Sequence, residues 1–236
     1  MAKYQFRLTR TVSDTPSLFT LDLDSRMTVL DALFIIQRAF DHSLAFRCSC
    51  RVGMCGTCAV RVNRIPQLAC QTRVETLGTQ TITIEPLSNL PVVKDLVVDL
   101  SPFFRKWKKV RPAFSPKNNY SKELAIVQPD SEFGQQARLK GDCITCGACY
   151  TACGITATNE AYLGPAAINR AMLRLYDPRD GNTKERLKVL NDEAGVWRCH
   201  TQFNCVASCP KNINLTDSIM NLKRALLFPS KFYNKR

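Results

Sequence analysis

The chain has 236 residues, 45% of them hydrophobic, and carries 33 Lys and Arg against 20 Asp and Glu for a formal charge of +13. That length accommodates two ordinary domains with cores of their own, and no stretch approaches the roughly 18 apolar residues of a bilayer span. Twelve cysteines would suggest disulfides in a short secreted chain, but the opening MAKYQFRLTR holds no apolar signal core, so reduced, metal-binding cysteines are expected.

Residues 4–10 (YQFRLTR) and 18–23 (LFTLDL) alternate apolar and polar side chains, the period of half-buried strands, with Ser13, Asp14 and Pro16 as the turn of a hairpin. In MTVLDALFIIQRAF, Thr28 caps a helix, Asp31 suits its first turn, and Leu30, Leu33, Phe34 and Gln37 follow helical spacing. Residues 59–62 and 81–84 read as strands, with Asn63 and Arg64 as a turn. The first ~100 residues therefore predict a small mixed sheet with one helix packed across it.

Residues 101–122 hold seven Lys or Arg, three prolines and no acid, a basic connection that is partly helical before Pro112. Beyond it the signals are helical. Pro165 stands at a first helical position, Thr183 caps KERLKVL, and Thr216 precedes a helix with Ile219, Leu222 and Leu226 on one face.

Residues 48–70 read CSCRVGMCGTCAVRVNRIPQLAC. Cys50, Cys55, Cys58 and the more distant Cys70 have the spacing of plant-type 2Fe-2S ferredoxins, and Gly53 and Gly56 let backbone N–H groups approach sulfur. A structural zinc site is the alternative, but its usual two C-x2-C pairs are reduced here to one. Cys48 falls outside the pattern and reads as an ordinary thiol.

Cys143, Cys146, Cys149 and Cys153 match the C-x2-C-x2-C-x3-C run of two-cluster bacterial ferredoxins, with Gly154 in place of proline. The reciprocal run is Cys199, Cys205 and Cys209 before Pro210, with Gln202 where the middle cysteine would fall. Crossing the fourth cysteines gives Cys143, Cys146, Cys149 and Cys209 to a 4Fe-4S cluster. Cys153, Cys199 and Cys205 are left with three thiolates, which suit a 3Fe-4S cluster because Gln202 binds iron poorly beside soft sulfur. Three clusters suit stepwise one-electron transfer, and no G-x-G-x-x-G or G-x-x-x-x-G-K-[ST] motif assigns flavin or nucleotide chemistry to this chain. A basic, cysteine-rich nucleic-acid-binding protein is the competing class. Crossed cysteines, and only two histidines (His42 and His200), stand against it.

This order of motifs, with YLGPAAI and VWRCHTQFNC between them, resembles the iron-sulfur subunits of succinate dehydrogenase and fumarate reductase over essentially the whole chain. The resemblance implies an α+β chain: an N-terminal β-grasp plant-type ferredoxin domain over residues 1–104 and an all-α bacterial-ferredoxin-like domain over 105–236. It also implies a flavoprotein partner whose covalent FAD interconverts succinate and fumarate, and a membrane anchor where quinone binds. His200 and Lys223 match positions near the quinone or the last cluster in that family; a packing histidine and a solvated lysine are the plain alternatives. Many relatives that reduce ubiquinone carry proline, serine and nearby tryptophans after the residue matching Cys153. GITATNE stands here instead, which points toward a different quinone pocket and menaquinone, and CGACYTAC is also similar to fumarate reductases. A peripheral place on the cytoplasmic face of a prokaryotic membrane would give the basic connection and the terminal FPSKFYNKR roughly 1 kcal/mol per cation near anionic lipid.

Overall fold

The computed structural model describes residues 1–117 and 126–228. Residues 118–122 of the basic connection and 229–236 of the basic tail lie outside the described residues. The chain divides into two units, the first made of Met1–Leu100, Ile144–Ala152 and Ser208–Pro210, the second of Ser101–Cys143, Cys153–Ala207 and Lys211–Arg236.

In the first unit, strand β1 (Ala2–Arg10) pairs antiparallel with β2 (Ser13–Leu23), so the turn lies at Thr11 and Val12 rather than at Ser13, Asp14 and Pro16. Pro16 is tolerated inside β2 because β2 is an edge strand and the ladder shifts register between Leu8 and Arg10, near that proline. Helix α1 (Val29–Ala39) follows, its first turn closed by a capping box in which the Thr28 hydroxyl accepts from Asp31 N–H and the Asp31 carboxylate accepts from Thr28 N–H.

Strands β3 (Ala59–Val62) and β4 (Ile65–Leu68) form a tight hairpin, and Asn63 (φ 48°) and Arg64 (φ 69°) supply the two left-handed residues that such a turn demands. With β5 (Thr81–Glu85) the sheet order is β2-β1-β5-β3-β4, β1 and β5 running parallel and the other pairs antiparallel. Phe6, Leu8, Leu23, Leu33, Ile36, Ile82 and Ile84 are all buried in this core, each worth roughly 1.5–3 kcal/mol of removal from water. A short ribbon of β6 (Val92–Lys94) and β7 (Val97–Val98) completes the strands described.

The rest is helical: α2 (Ser101–Lys109), α3 (Glu132–Lys140), α4 (Ala148–Ala152), α5 (Gly154–Thr158), α6 (Pro165–Tyr176), α7 (Thr183–Leu190), α8 (Asn204–Ala207) and α9 (Leu215–Leu227). All but α4 belong to the second unit. Pro165 opens α6 as its spacing predicts, but Thr183 and Thr216 are helical residues and not caps. Asn182 and Asn214 precede those helices, and the Asn214 side chain accepts from Asp217 N–H. Helix α6 is central, its Ile168, Ala171, Met172 and Leu175 meeting Leu190 of α7 and Ile219 and Leu222 of α9. Buried Asn169 fastens three helices, donating to Lys140 carbonyl (3.1 Å) and accepting from Ser218 Oγ (2.7 Å).

Arg186 is fully buried, donates to the carbonyls of Arg111 and Ala113 (both 3.0 Å), and forms a two-pronged ion pair with buried Asp180. Burial pushes the Asp180 carboxyl up, but Arg186 and the N–H groups of Asn182 and Ser115 outweigh it and hold the group below its ordinary 3.8. A carboxylate depressed on folding contributes fully above its unfolded pKa and loses that contribution as pH falls through the folded value. Arg186→Ala is expected to destabilise the second unit by about 3–5 kcal/mol, read by hydrogen exchange of α6 and α7 amides. The parent is expected to lose protection as pH falls, and that acid limb should be shallower in Asp180→Asn; an unchanged acid limb contradicts this role.

Candidate metal centres

All twelve cysteines are thiols, none in a disulfide. The loop before β3 wraps its first cysteine tightly: Cys50 Sγ accepts from the N–H groups of Met54 (3.2 Å) and Cys55 (3.3 Å). Arg51, Gly53 and Gly56 take positive φ to make that wrap. At Gly56 a side chain is excluded outright, because a Cβ would lie 2.8 Å from Cys146 Cβ. The glycine thus lets two cysteine loops of the first unit meet.

Cys58 and Cys70 are brought together by the β3–β4 hairpin, where Ala59 pairs with Leu68 and Ala69 N–H donates to Cys58 carbonyl (3.1 Å). Twelve residues of separation in sequence therefore vanish in space. Burial pushes the Cys58 thiol up to about 12, outweighing a backbone hydrogen bond from Cys70 that works the other way. The exposed Cys55 behaves oppositely: a 2.6 Å hydrogen bond to Thr57 Oγ1, reinforced by backbone N–H groups, lowers it to about 6. Four soft sulfurs, N–H donors aimed at one of them and a glycine-lined wrap fit a thiolate-bound iron-sulfur group.

Two further cysteine loops share one backbone pattern. Cys146 is flanked by left-handed Thr145 (φ 52°) and Gly147 (φ 82°), and Gln202 is flanked by left-handed Thr201 (φ 58°) and Phe203 (φ 60°). Helix α4 opens two residues after Cys146 and carries Cys149; helix α8 opens two residues after Gln202 and carries Cys205. Positive φ is rare for a β-branched residue and costs of order 1–3 kcal/mol, so its recurrence at Thr145 and Thr201 marks a functional constraint. Gln202 occupies the backbone position that Cys146 takes in its own loop, without being a cysteine.

In the second unit Cys153, Cys199 and Cys205 line a recess of about 320 Å³, including its mouth, together with His200 and Gln202. Burial raises the Cys153 and Cys205 thiols, and the three sulfurs act on one another as neighbours. Thr201 N–H donates to Cys199 Sγ (3.4 Å), and Cys205 Sγ lies 3.6 Å from Thr216 Oγ1. His200 is exposed at the recess, whereas Lys223 is engaged, donating to Cys199 carbonyl at 2.8 Å. Three thiols and a backbone donor around one hollow fit a sulfur-ligated cluster. Of the remaining cysteines, Cys146, Cys149 and Cys209 belong to the first unit and Cys143 to the second. Cys48 is half-buried in the first.

Sequence reasoning missed Thr57, Thr216 and Lys106. Lys106 is 6% exposed on α2, and its charge reaches Cys153. In the sequence it is indistinguishable from the other cations of the basic connection.

Residues 2–105 match the 2Fe-2S iron-sulfur cluster binding domain family and residues 141–213 the 4Fe-4S dicluster domain family. The chain is 39% identical over 236 residues to the mitochondrial succinate dehydrogenase [ubiquinone] iron-sulfur subunit 1 of Oryza sativa subsp. japonica, covering 94% of this chain and 82% of that protein. It belongs to the family of succinate dehydrogenase iron-sulfur subunits. The structure of this subunit superposes on a chain of the Mycobacterium smegmatis Sdh1 complex in the apo form with a TM-score of 0.87, at 27% identity and 96% coverage of both chains. A hypothetical protein from Helicobacter pylori shares the fold alone, with a TM-score of 0.55 at 17% identity over 94% of this chain and 39% of that one. The family thus fixes the class of this succinate dehydrogenase subunit as an iron-sulfur electron-transfer protein.

Thr57 offers a direct check on the first loop. In the cluster-free chain, Cys55 should react with iodoacetamide with a midpoint near pH 6, and Thr57→Val should move that midpoint up toward the ordinary 9. An unmoved midpoint would show that the hydroxyl does not govern this thiol.

Proposed function

We propose that this subunit carries electrons from the FAD of a flavoprotein partner through 2Fe-2S, 4Fe-4S and 3Fe-4S clusters to quinone at a membrane anchor, in a succinate:quinone oxidoreductase. Cys50, Cys55, Cys58 and Cys70 would hold the first cluster, Cys143, Cys146, Cys149 and Cys209 the second, and Cys153, Cys199 and Cys205 the third. The domains that carry them would be a β-grasp domain over 1–104 and an all-α domain over 105–236.

The observation that carries this reading is the repeated left-handed frame around Cys146 and Gln202. It supports the alignment of the two loops that a crossed pair of clusters requires, and it leaves one ligand position filled by an amide. The chain's own part is then to exclude water, direct N–H donors at sulfur, and hold neighbouring loops close, as Gly56 does for Cys146. Lys223 would fasten the loop of Cys199 through its carbonyl, and exposed His200 would face quinone from the recess.

Among the described residues no helix is long and apolar enough to cross a membrane, so the anchor in this reading is supplied by partner subunits. A peripheral site on the cytoplasmic face of a prokaryotic membrane suits the basic charge, and no nucleic-acid partner is invoked. The segment after Cys153, GITATNE, favours menaquinone as the acceptor, and the likeness of CGACYTAC to fumarate reductases keeps quinol:fumarate reduction as the second reading. An adaptor feeding another flavoenzyme is the remaining redox alternative.

Purified as its native complex, the protein should contain about nine iron atoms per chain and give the EPR signal of an oxidised three-iron cluster. Comparing succinate:quinone with quinol:fumarate rates then decides the direction. Gln202→Cys should replace the three-iron signal with that of a reduced four-iron cluster; retention of three irons counts against the alignment.

A further inference from the structure

Gly154 follows Cys153 as the first residue of α5, yet its φ is not in the left-handed region. No conformational demand therefore requires glycine there, and alanine would favour the helix. What the absent side chain does is leave room: among the described residues beyond its chain neighbours and its own helix backbone, the atom that a Cβ at this position would meet within 4 Å is Gln202 Oε1, at 3.2 Å. That approach is tighter than most Cβ contacts, so a side chain at this position would press on the carboxamide.

We propose that Gly154 and Gln202 work as a pair: the space at residue 154 seats the Gln202 carboxamide over the open corner of the Cys153, Cys199 and Cys205 site. Two independent features carry this. The left-handed residues Thr201 and Phe203 hold the backbone of Gln202 in the frame seen at Cys146, and the space at Gly154 admits the far end of its side chain. Gln202 lines the recess of the three cysteines, and in this pairing its Oε1 stays beside Gly154 while its Nε2 is turned to a sulfur of the cluster. The amide donates a hydrogen bond there instead of ligating iron, and a donor aimed at a cluster that gains negative charge on reduction favours the reduced state. Gln202 is a positioning and tuning residue in this account, and Gly154 acts through it.

The inference rests on the three-iron reading given above, and a double-mutant cycle in the intact complex separates the two. The readouts are the line shape of the oxidised three-iron EPR signal and its midpoint potential in a redox titration. Gly154→Val and Gln202→Ala should each lower the potential and alter the line shape, and the double variant should fall no lower than Gln202→Ala alone. Additive shifts, or a Gly154→Val variant indistinguishable from the parent, overturn the pairing. If Gly154→Val loses the cluster, Gln202→Ala should restore it, and failure to restore it also overturns the pairing. Should Gln202→Ala itself not retain the cluster, Gly154→Ala decides: a smaller shift in the same direction supports the seat, and no shift contradicts it. A parent complex without any three-iron signal would sink the cluster assignment itself, an outcome distinct from all of these.

Discussion

A loop that gathers several cysteines must turn its backbone sharply before their side chains can converge, and here that turn is made by residues in the left-handed region. Arg51, Gly53 and Gly56 make it around Cys50 and Cys55, Thr145 and Gly147 around Cys146, and Thr201 and Phe203 around Gln202. Glycine takes such a conformation without strain, whereas threonine does so at a cost that the surrounding fold must cover. The rest of the structure supplies that cover. In the first unit the β3–β4 hairpin closes Cys58 on Cys70, and in the second the packed α6, α7 and α9 form a core next to which the recess of Cys153, Cys199 and Cys205 lies.

The thiols are not equivalent within these frames. Cys55 is exposed and tuned toward thiolate by Thr57, while Cys58, Cys153 and Cys205 are driven toward the neutral thiol by burial. A thiol with a raised pKa holds its proton in the absence of metal, so a cluster bound through these sulfurs would have to displace that proton. Lys106, buried with its charge directed at Cys153, offsets part of that penalty in the second unit.

Much of this was legible in the sequence. Cysteine spacing reports ligand geometry directly, because loops of two to four residues leave few ways to place sulfur, and the strand and helix periods of residues 4–39 were equally plain. The errors were local. Pro16 reads as a turn unless one knows that its strand lies at an edge, and Thr183 and Thr216 read as caps because threonine at a helix start has the same sequence signature whether it lies just outside or just inside. Helices α4, α5 and α8 span four or five residues and are too short to show a period. The left-handed Thr145, Thr201 and Phe203 were invisible for the opposite reason: their residue types argue against the conformation they adopt, and only the fold reveals that the site imposes it.

The central claim is that the last cysteine of each run serves the other run's cluster. Replacing Cys153 and Cys209 separately by alanine in the intact complex, and recording EPR spectra of the oxidised and reduced states, tests it most directly. Crossed ligation predicts that Cys153→Ala loses the oxidised three-iron signal while keeping that of the reduced four-iron cluster, and that Cys209→Ala does the reverse. Loss of the four-iron signal in Cys153→Ala with the three-iron signal intact would contradict the account.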